Sequence, residues 1–199
     1  MYVVALTGGI ATGKSTVSNY LLKQGIPVID TDLLSRKVVE PGEMGLKQVT
    51  QAFGPAILTL EGQLNRSKLG EIIFNNEEAK KQLNGILHPL IYDEVSRMLD
   101  QYRQAGQTLV FVDVPLLFEV NRDRYYDESW LVYLNADRQL ERLMLRNNFS
   151  VEEAKARINS QLPIDEKVIL ADIVINNSGT REETYQQIDE QLRRIQGKI

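Results

Sequence analysis

The chain has 199 residues, of which 43% are hydrophobic and 25% are charged, as in ordinary globular proteins with one buried core. Its net charge of −4 argues against broad nucleic-acid binding, which needs a surplus of Lys and Arg. The absence of cysteine excludes disulfides, zinc–thiolate sites and thiol nucleophiles. Its apolar runs are too short for a membrane span or a signal peptide. We therefore expect a cytoplasmic monomer that binds neither membrane nor nucleic acid.

Five short apolar runs predict buried strands of a parallel sheet, because they lack the alternation of half-exposed strands. In chain order, these are residues 3–7, 27–29, 109–114, 130–134 and 173–175. Helical patterns separate the runs. This alternation predicts an α/β fold in which helices flank a five-stranded parallel sheet.

The predicted helices are residues 15–23, 46–53, 67–74, 77–103, 137–148, 151–162 and 180–196. We expect the longest helix to break near His88-Pro89, because proline disfavours helix at the preceding residue. About 80 residues separate the second and third strands, more than a crossover helix needs, which predicts a helical insertion for a second substrate. The helical pair after the fourth strand predicts a lid, and the last helix is expected to dock on the sheet.

The segment from Gly8 to Gly13, Lys14 and Ser15 matches the P-loop pattern in full. Glycines let successive N–H groups converge on phosphate oxygens, and the following helix points its positive dipole end at the same anion. Lys14 is predicted to reach the β- and γ-phosphates of ATP, and the Ser15 hydroxyl to ligate Mg²⁺. The full set of predicted phosphate-binding residues in this loop is Gly9, Ala11, Thr12, Gly13, Lys14, Ser15 and Thr16.

Two carboxylates follow the second predicted strand, in the segment Asp30-Thr31-Asp32. Strand ends of an open α/β sheet face the ligand, so Asp32 is predicted to accept a proton from an acceptor hydroxyl as the catalytic base. Asp30 is predicted to be the N-cap of the next helix. Arg36 lies one helical turn beyond Asp32, where it either binds an acceptor phosphate or pairs with that carboxylate.

Asp113 lies near the end of the third apolar run, as in a Walker B strand, whose aspartate holds Mg²⁺ directly or through water. Glu119 follows shortly afterwards and is a candidate for the same magnesium shell. Arg138, Arg142 and Arg146 recur every four residues and form one basic stripe on a helix. A solvated surface is the alternative, but behind a P-loop we expect Arg142 and Arg146 to stabilise charge on ATP.

The ordered set of motifs resembles the dephospho-CoA kinase family along nearly the whole chain. The matching segments are residues 6–15, Asp30-Thr31-Asp32 with Arg36, Leu64-Asn65-Arg66, Leu87-His88-Pro89, residues 114–119, residues 157–161 and Ile175-Asn176-Asn177. The P-loop is shared by many families, but this ordered set is specific. Ala11 stands where the family more often has glycine or serine, and Thr31 where it has alanine.

The resemblance implies transfer of the ATP γ-phosphoryl group to the ribose 3′-hydroxyl of dephospho-CoA, with ATP as co-substrate and Mg²⁺ as cofactor. It implies one domain with a nucleotide core of about residues 1–35, 104–136 and 168–199, a CoA-binding insertion of about 36–103 and a lid of about 137–167. Asp32 is then the base, and Arg66, His88 and Gln161 lie near the acceptor. Arg66 has an alternative role as an exposed pairing residue, and His88 as a residue that shapes a turn.

Two other functions share some of these features. A nucleoside-monophosphate kinase would have the same P-loop and arginine lid, but not the full ordered set of motifs. A P-loop switch protein usually carries an Asn-Lys-x-Asp segment that reads guanine, and the chain lacks that segment.

Overall fold

The computed structural model describes residues 1–74 and 76–198. The chain divides into two compact units: Met1–Ile29 joined with the chain from Tyr102 onward, and Asp30–Gln101. None of the helices in the described ranges is long and apolar enough to cross a membrane.

Five strands form one sheet. They are β1 (Tyr2–Gly8), β2 (Val28–Asp30), β3 (Leu109–Asp113), β4 (Glu128–Tyr133) and β5 (Ile173–Asn176), in the order β2-β3-β1-β4-β5. β1 runs parallel to β3 and β4, and β4 runs parallel to β5. The predicted five-stranded parallel sheet and α/β class are confirmed, although β4 begins two residues earlier than its apolar run.

Helices alternate with these strands along the chain. In chain order they are α1 (Lys14–Lys23), α2 (Thr31–Lys37), α3 (Met44–Phe53), α4 (Arg66–Phe74), α5 (Glu77–Gln104), α6 (Ala136–Asn147), α7 (Val151–Asn159), α8 (Ile164–Leu170) and α9 (Arg181–Gln196). α8 was not predicted, because seven residues are too few for a clear helical period. α7 ends three residues before the predicted end at 162, so Gln161 lies outside a helix.

Because the paired strands are parallel, their carboxyl ends share one edge of the sheet. In the observed register, Leu6 of β1 lies opposite Asp113, and Gly8 lies opposite Val132. On the far side, Tyr133 of β4 lies opposite Asn176. The loop after β1, Asp113 and the residues after β5 therefore emerge at the same edge.

The last helix, α9, docks on the sheet as predicted. Its Ile188, Leu192 and Ile195 are buried in the same apolar cluster as Phe111 and Trp130. The rings of the two aromatic residues meet edge to face, with centroids 5.0 Å apart. Burying each aliphatic side chain contributes about 1.5–3 kcal/mol, so the carboxyl-terminal helix is an integral part of this core.

Glu128 is a buried carboxylate at the start of β4. It accepts hydrogen bonds from Trp130 Nε1 at 2.7 Å and from the Tyr2 hydroxyl at 3.2 Å, and it forms ion pairs with Arg194 and Lys198. Burial raises the pKa of Glu128, but the hydrogen bonds from Arg194 and Trp130 outweigh burial and hold the pKa below its usual value. These partners explain why β4 begins with a charged residue.

We predict that Glu128→Gln lowers the free energy of unfolding by on the order of 2 kcal/mol at neutral pH, because hydrogen bonds to a charged acceptor weaken. The folded pKa lies below the unfolded value of about 4.3, so the stabilisation is present above that value and is lost as pH falls through the folded pKa. Urea unfolding of both proteins across this pH range measures the effect. A difference that stays constant down to about pH 3 would contradict the electrostatic origin.

The smaller unit contains α2, α3, α4 and most of α5. Lys37 of α2 pairs with Glu94 of α5 at 3.2 Å, which links the first and last helices of the unit. Gly45 of α3 lies against the main chain of Val38, and a Cβ there would stand 2.2 Å from the Val38 carbonyl oxygen. This close approach explains why glycine occupies position 45.

The predicted break at His88-Pro89 is wrong, because α5 runs from Glu77 to Gln104 with Pro89 inside it. The proline removes one main-chain hydrogen bond, but buried Leu83 and Ile91 on either side of it hold the helix in its unit. His88 therefore lies within a helix and does not shape a turn. Its ring centroid is 5.7 Å from that of Tyr92, one turn further along.

Candidate active site

The loop between β1 and α1 is held by its own hydrogen bonds. The N–H and Oγ1 of buried Thr12 both donate to the Gly9 carbonyl oxygen, at 3.2 and 2.9 Å. Gly13 precedes α1 with a φ of 93°, in the left-handed region that favours glycine. The loop thus has the turn that the P-loop pattern predicts, followed directly by a helix N-terminus.

Ala11 also adopts a left-handed conformation, with a φ of 61°, although it carries a Cβ atom. This conformation costs a non-glycine residue about 1–2 kcal/mol. Glycine at the same position lowers the free energy of unfolding by about 0.4–1 kcal/mol, because it increases the conformational entropy of the unfolded chain. We predict that Ala11→Gly raises the free energy of unfolding by about 0.5–1 kcal/mol, measured by urea titration. A less stable variant would contradict the proposed backbone strain at Ala11.

Lys14 and Asp113 meet at the carboxyl edge of the sheet. Lys14 Nζ forms an ion pair with Asp113 Oδ1, and Ser18 Oγ donates to Asp113 Oδ2 at 2.9 Å. Asp113 is only 4% exposed. Ser15, in the first turn of α1, is exposed and remains open to a ligand. Ser18 was not predicted, although it lies one helical turn beyond Lys14.

Of the three arginines on α6, Arg142 lies at the P-loop. Its NH1 atom is 3.6 Å from the position that a Cβ on Gly13 would occupy, and its NH2 donates to the Asn177 carbonyl oxygen at 3.4 Å. Arg138 instead donates to the carbonyl oxygen of Ser178. Arg146 is exposed and donates to the side chain of the next residue at 2.8 Å. The structure therefore brings Arg142 to the phosphate loop and gives Arg146 a surface contact.

Three amide side chains contact the P-loop main chain. Gln139 Nε2 donates to the Ile10 carbonyl oxygen at 2.8 Å, and Gln161 Oε1 accepts from the Ile10 N–H at 2.8 Å. Asn177 Nδ2 donates to the Thr12 carbonyl oxygen at 2.7 Å. Gln161 was predicted to lie near the acceptor. The structure places its amide on the P-loop, and the acceptor role stays a prediction.

Gln139 is another candidate that was not predicted from the sequence. It is buried on α6, one turn before buried Leu143, although the other residues predicted on this face are apolar. A polar residue in line with a buried face is unusual and signals a buried partner. That spacing would have identified Gln139, but not its contact with Ile10, which depends on how α6 packs.

Glu119 is engaged with the segment that follows α7. Its Oε1 accepts from the Leu162 N–H at 3.0 Å and lies 2.6 Å from the ammonium nitrogen of Lys167. Lys167 is fully buried, so the ion pair compensates a charge that burial would otherwise disfavour. The sequence suggested a magnesium shell for Glu119. The structure shows Glu119 as an anchor for the turn that carries Gln161, and its place in a magnesium shell stays a prediction.

The smaller unit carries the remaining predicted residues. Asp30 is confirmed as the N-cap of α2, because its carboxylate accepts from the Asp32 N–H at 2.8 Å. Asp32 and Arg36 are both exposed on α2. Arg66 is exposed at the first residue of α4, and His88 is half-buried on α5.

Similarity to known proteins identifies the family to which the chain belongs. A model of the family described as dephospho-CoA kinase matches residues 2–183 of the chain. The chain belongs to this family. A dephospho-CoA kinase of Geobacillus kaustophilus is 49% identical over 185 residues, which cover 93% of this chain and 92% of that relative. A dephospho-CoA kinase of Shouchella clausii is 47% identical over 189 residues, covering 95% and 96%.

A solved structure leads to the same family. The dephospho-CoA kinase from Campylobacter jejuni is 30% identical and superposes with a TM-score of 0.75, covering 99% of this chain and 98% of that one. The match extends over both compact units of this chain, so the smaller unit is part of the family's common structure. The recognition made from the ordered motifs is thereby confirmed.

The residues at the P-loop fit the way in which nucleotide-binding proteins hold Mg²⁺. Within residues 1–74 and 76–198, no cluster of three or more His, Asp or Glu side chains could cage a metal ion. Mg²⁺ at nucleotide sites keeps several waters and takes only one or two protein ligands beside the phosphates. The Ser15 hydroxyl and the Asp113 carboxylate provide a donor set of that kind.

Proposed function

We propose that this chain is a dephospho-CoA kinase, which transfers the γ-phosphoryl group of ATP to the ribose 3′-hydroxyl of dephospho-CoA and releases CoA and ADP. This reaction is the final step of coenzyme A biosynthesis. The family match over residues 2–183 is the observation that carries the proposal. The ion pair between Lys14 and Asp113 beside the P-loop supports it, because phosphoryl transfer depends on a lysine held at the phosphates.

In the proposed reaction, the 3′-oxygen of dephospho-CoA forms a bond to the γ-phosphorus as the bond from that phosphorus to the β–γ bridging oxygen breaks. Asp32 accepts the proton of the 3′-hydroxyl, and ADP leaves with the bridging oxygen. Lys14 stabilises negative charge on the transferring group. Its ion pair with Asp113 holds its ammonium group at the carboxyl edge of the sheet.

The nucleotide is proposed to bind through the P-loop N–H groups and the α6 arginines. Arg142 has the more direct structural support, because its guanidinium already lies beside Gly13. Arg146 is exposed and would act after a movement of its helix or side chain. Mg²⁺ would be held by Ser15 and, through water, by Asp113, and when bound it neutralises charge on the β- and γ-phosphates.

The acceptor is proposed to bind through Arg36, Arg66, His88 and Gln161. The first three belong to the compact helical unit of residues 30–101, which supports a separate acceptor-binding insertion. We propose the same three-part division as for the family: a core, a CoA-binding insertion and a lid of about residues 137–167. We further propose that the enzyme works as a cytoplasmic monomer, which light scattering of the purified protein would test.

An acceptor panel tests the proposed function. ADP release is measured with ATP and, in parallel, dephospho-CoA, AMP, CMP or UMP as acceptor. We expect turnover with dephospho-CoA alone. Activity only with a monophosphate would identify a nucleoside-monophosphate kinase, and ATP hydrolysis that no acceptor stimulates would favour a nucleotide switch.

A further inference from the structure

Two buried amide groups donate hydrogen bonds to carbonyl oxygens that lie two residues apart in the P-loop. Gln139 is 2% exposed and donates to Ile10, while Asn177 is 5% exposed and donates to Thr12. Neither contact is part of a strand pairing or of a helix cap. Both lie on the main chain that the P-loop pattern assigns to phosphate binding.

The planarity of the peptide bond links these carbonyls to specific N–H groups. The Ile10 carbonyl shares its peptide plane with the Ala11 N–H, and the Thr12 carbonyl shares its plane with the Gly13 N–H. In a trans peptide, the N–H points away from the C=O. When a side-chain amide holds a carbonyl oxygen toward itself, the N–H of the same peptide plane therefore points the opposite way. That direction is the one from which an anion is bound.

The two amides are themselves held in place. Asn177 Oδ1 accepts from the hydroxyl of buried Thr184 on α9 at 3.0 Å, which orients the Asn177 amide with its nitrogen toward the loop. Gln139 is fixed by its burial on α6, beside the loop. Gln139 lies on α6 and Asn177 directly follows β5, so two separate elements hold the loop.

The glycines of the loop leave room for this arrangement. A Cβ on Gly9 would stand 2.6 Å from Gln139 Nε2, and a Cβ on Gly13 would stand 2.0 Å from Asn177 Nδ2. Between the two contacts lies Ala11, in a left-handed conformation that is costly for alanine. A residue keeps such a conformation only when the surrounding structure holds it there. Here the two amides hold the main chain on either side of Ala11.

We propose that Gln139 and Asn177 are positioning residues that hold the Ala11 and Gly13 N–H groups in the orientation that binds nucleotide phosphates. The proposal rests on the proposed function only in assigning a nucleotide to the loop. It gives a defined role to Gln139 on the buried face of α6 and to Asn177, the first residue after β5. Neither residue contacts the reacting atoms, so their effect is on nucleotide affinity.

The test uses the full chain and removes each donor while keeping the side-chain volume. In Gln139→Met and Asn177→Leu, we expect the Kd for ADP, measured by calorimetry, and the KM for ATP to rise about tenfold, as for a lost hydrogen bond. The KM for dephospho-CoA is expected to stay within about twofold, since the acceptor is bound elsewhere. Thermal unfolding ensures that each titration is made on folded protein.

Gln187→Met is the matched control. Gln187 Nε2 also donates to a main-chain carbonyl oxygen, that of Asn176 at 3.0 Å, but this contact is at β5 and not at the P-loop. The control is expected to lose stability without changing the affinity for ADP. Thr184→Val tests Asn177 more gently, because it leaves the Asn177 amide in place and removes the hydroxyl that Asn177 Oδ1 shares with the Thr180 carbonyl oxygen. A rise of about two- to fivefold in the Kd for ADP is expected.

Unchanged ADP affinity in Gln139→Met and in Thr184→Val would overturn the proposal, even if both variants were less stable. The same would follow if Gln187→Met weakened ADP binding as much as they did. Failure of the proposed function gives a different result, because ADP binding requires no acceptor. If the wild-type protein binds ADP but does not phosphorylate dephospho-CoA, the assignment of dephospho-CoA as the acceptor is wrong. The roles of Gln139 and Asn177 can still be tested in that case, through the affinity for ADP.

Discussion

Asp32→Asn is expected to lower kcat by on the order of 10²-fold or more while the Kd for ATP stays nearly unchanged. Asparagine fills the same volume and still forms hydrogen bonds, but it cannot take the proton of the acceptor hydroxyl. Asp32 is exposed on α2, and its own N–H is held by the carboxylate of Asp30. Removing its charge should therefore leave the helix intact and affect the chemical step. Single-turnover kinetics with saturating ATP and dephospho-CoA measure this directly.

Asp30→Asn is the matched control, since it makes the same chemical change two residues earlier. The Asp30 side chain caps α2, and asparagine is an equally good N-cap, so stability and turnover should stay close to those of the wild type. Near-normal kcat in Asp32→Asn would remove Asp32 from the role of base. An equal loss in both variants would show that the charge of this segment matters, and not proton transfer at Asp32.

The second large effect is expected for Lys14→Ala, which should lower kcat by about 10²–10³-fold, as does loss of one group that stabilises transition-state charge. The Lys14 ammonium group pairs with Asp113, which is only 4% exposed, so the substitution also leaves a buried carboxylate without this cation. Some loss of stability is therefore expected alongside the loss of rate. Measuring kcat well below the unfolding temperature separates the two effects.

Lys23→Ala provides the control for Lys14→Ala, because Lys23 is an exposed lysine in the last turn of the same helix. It should change neither kcat nor the KM for ATP by more than about twofold, as is usual for surface substitutions. Unchanged kcat in Lys14→Ala would contradict the role assigned to this lysine. Equal losses in both variants would indicate a general effect of charge on α1.

The strands of the sheet and the docking of α9 were predictable, because both depend on the pattern of apolar residues over short stretches of sequence. Continuous apolar runs identified all five strands, and the buried stripe of α9 identified its docking face. The cap of α2 was predictable for the same reason, since Asp30 contacts N–H groups only two and three residues away. Such features involve few sequence-distant partners, so propensity and spacing are sufficient to find them.

Features that depend on tertiary packing were missed or predicted wrongly. The helix rule for proline favours a break at Pro89, but burial on both sides of it keeps α5 continuous. The glycine pattern identified the P-loop, but not that Gly9 also makes room for the amide of Gln139. That contact joins residues about 130 positions apart, and no local pattern can reveal such a pair.

Analysis of the reaction products tests whether the chain phosphorylates the ribose 3′-hydroxyl of dephospho-CoA. The protein is incubated with ATP and dephospho-CoA, and the products are examined by mass spectrometry and ³¹P NMR. We expect ADP and an equal amount of CoA, with one new phosphomonoester on the ribose 3′-oxygen. Phosphate on a different hydroxyl, or release of inorganic phosphate with dephospho-CoA unchanged, would contradict this expectation.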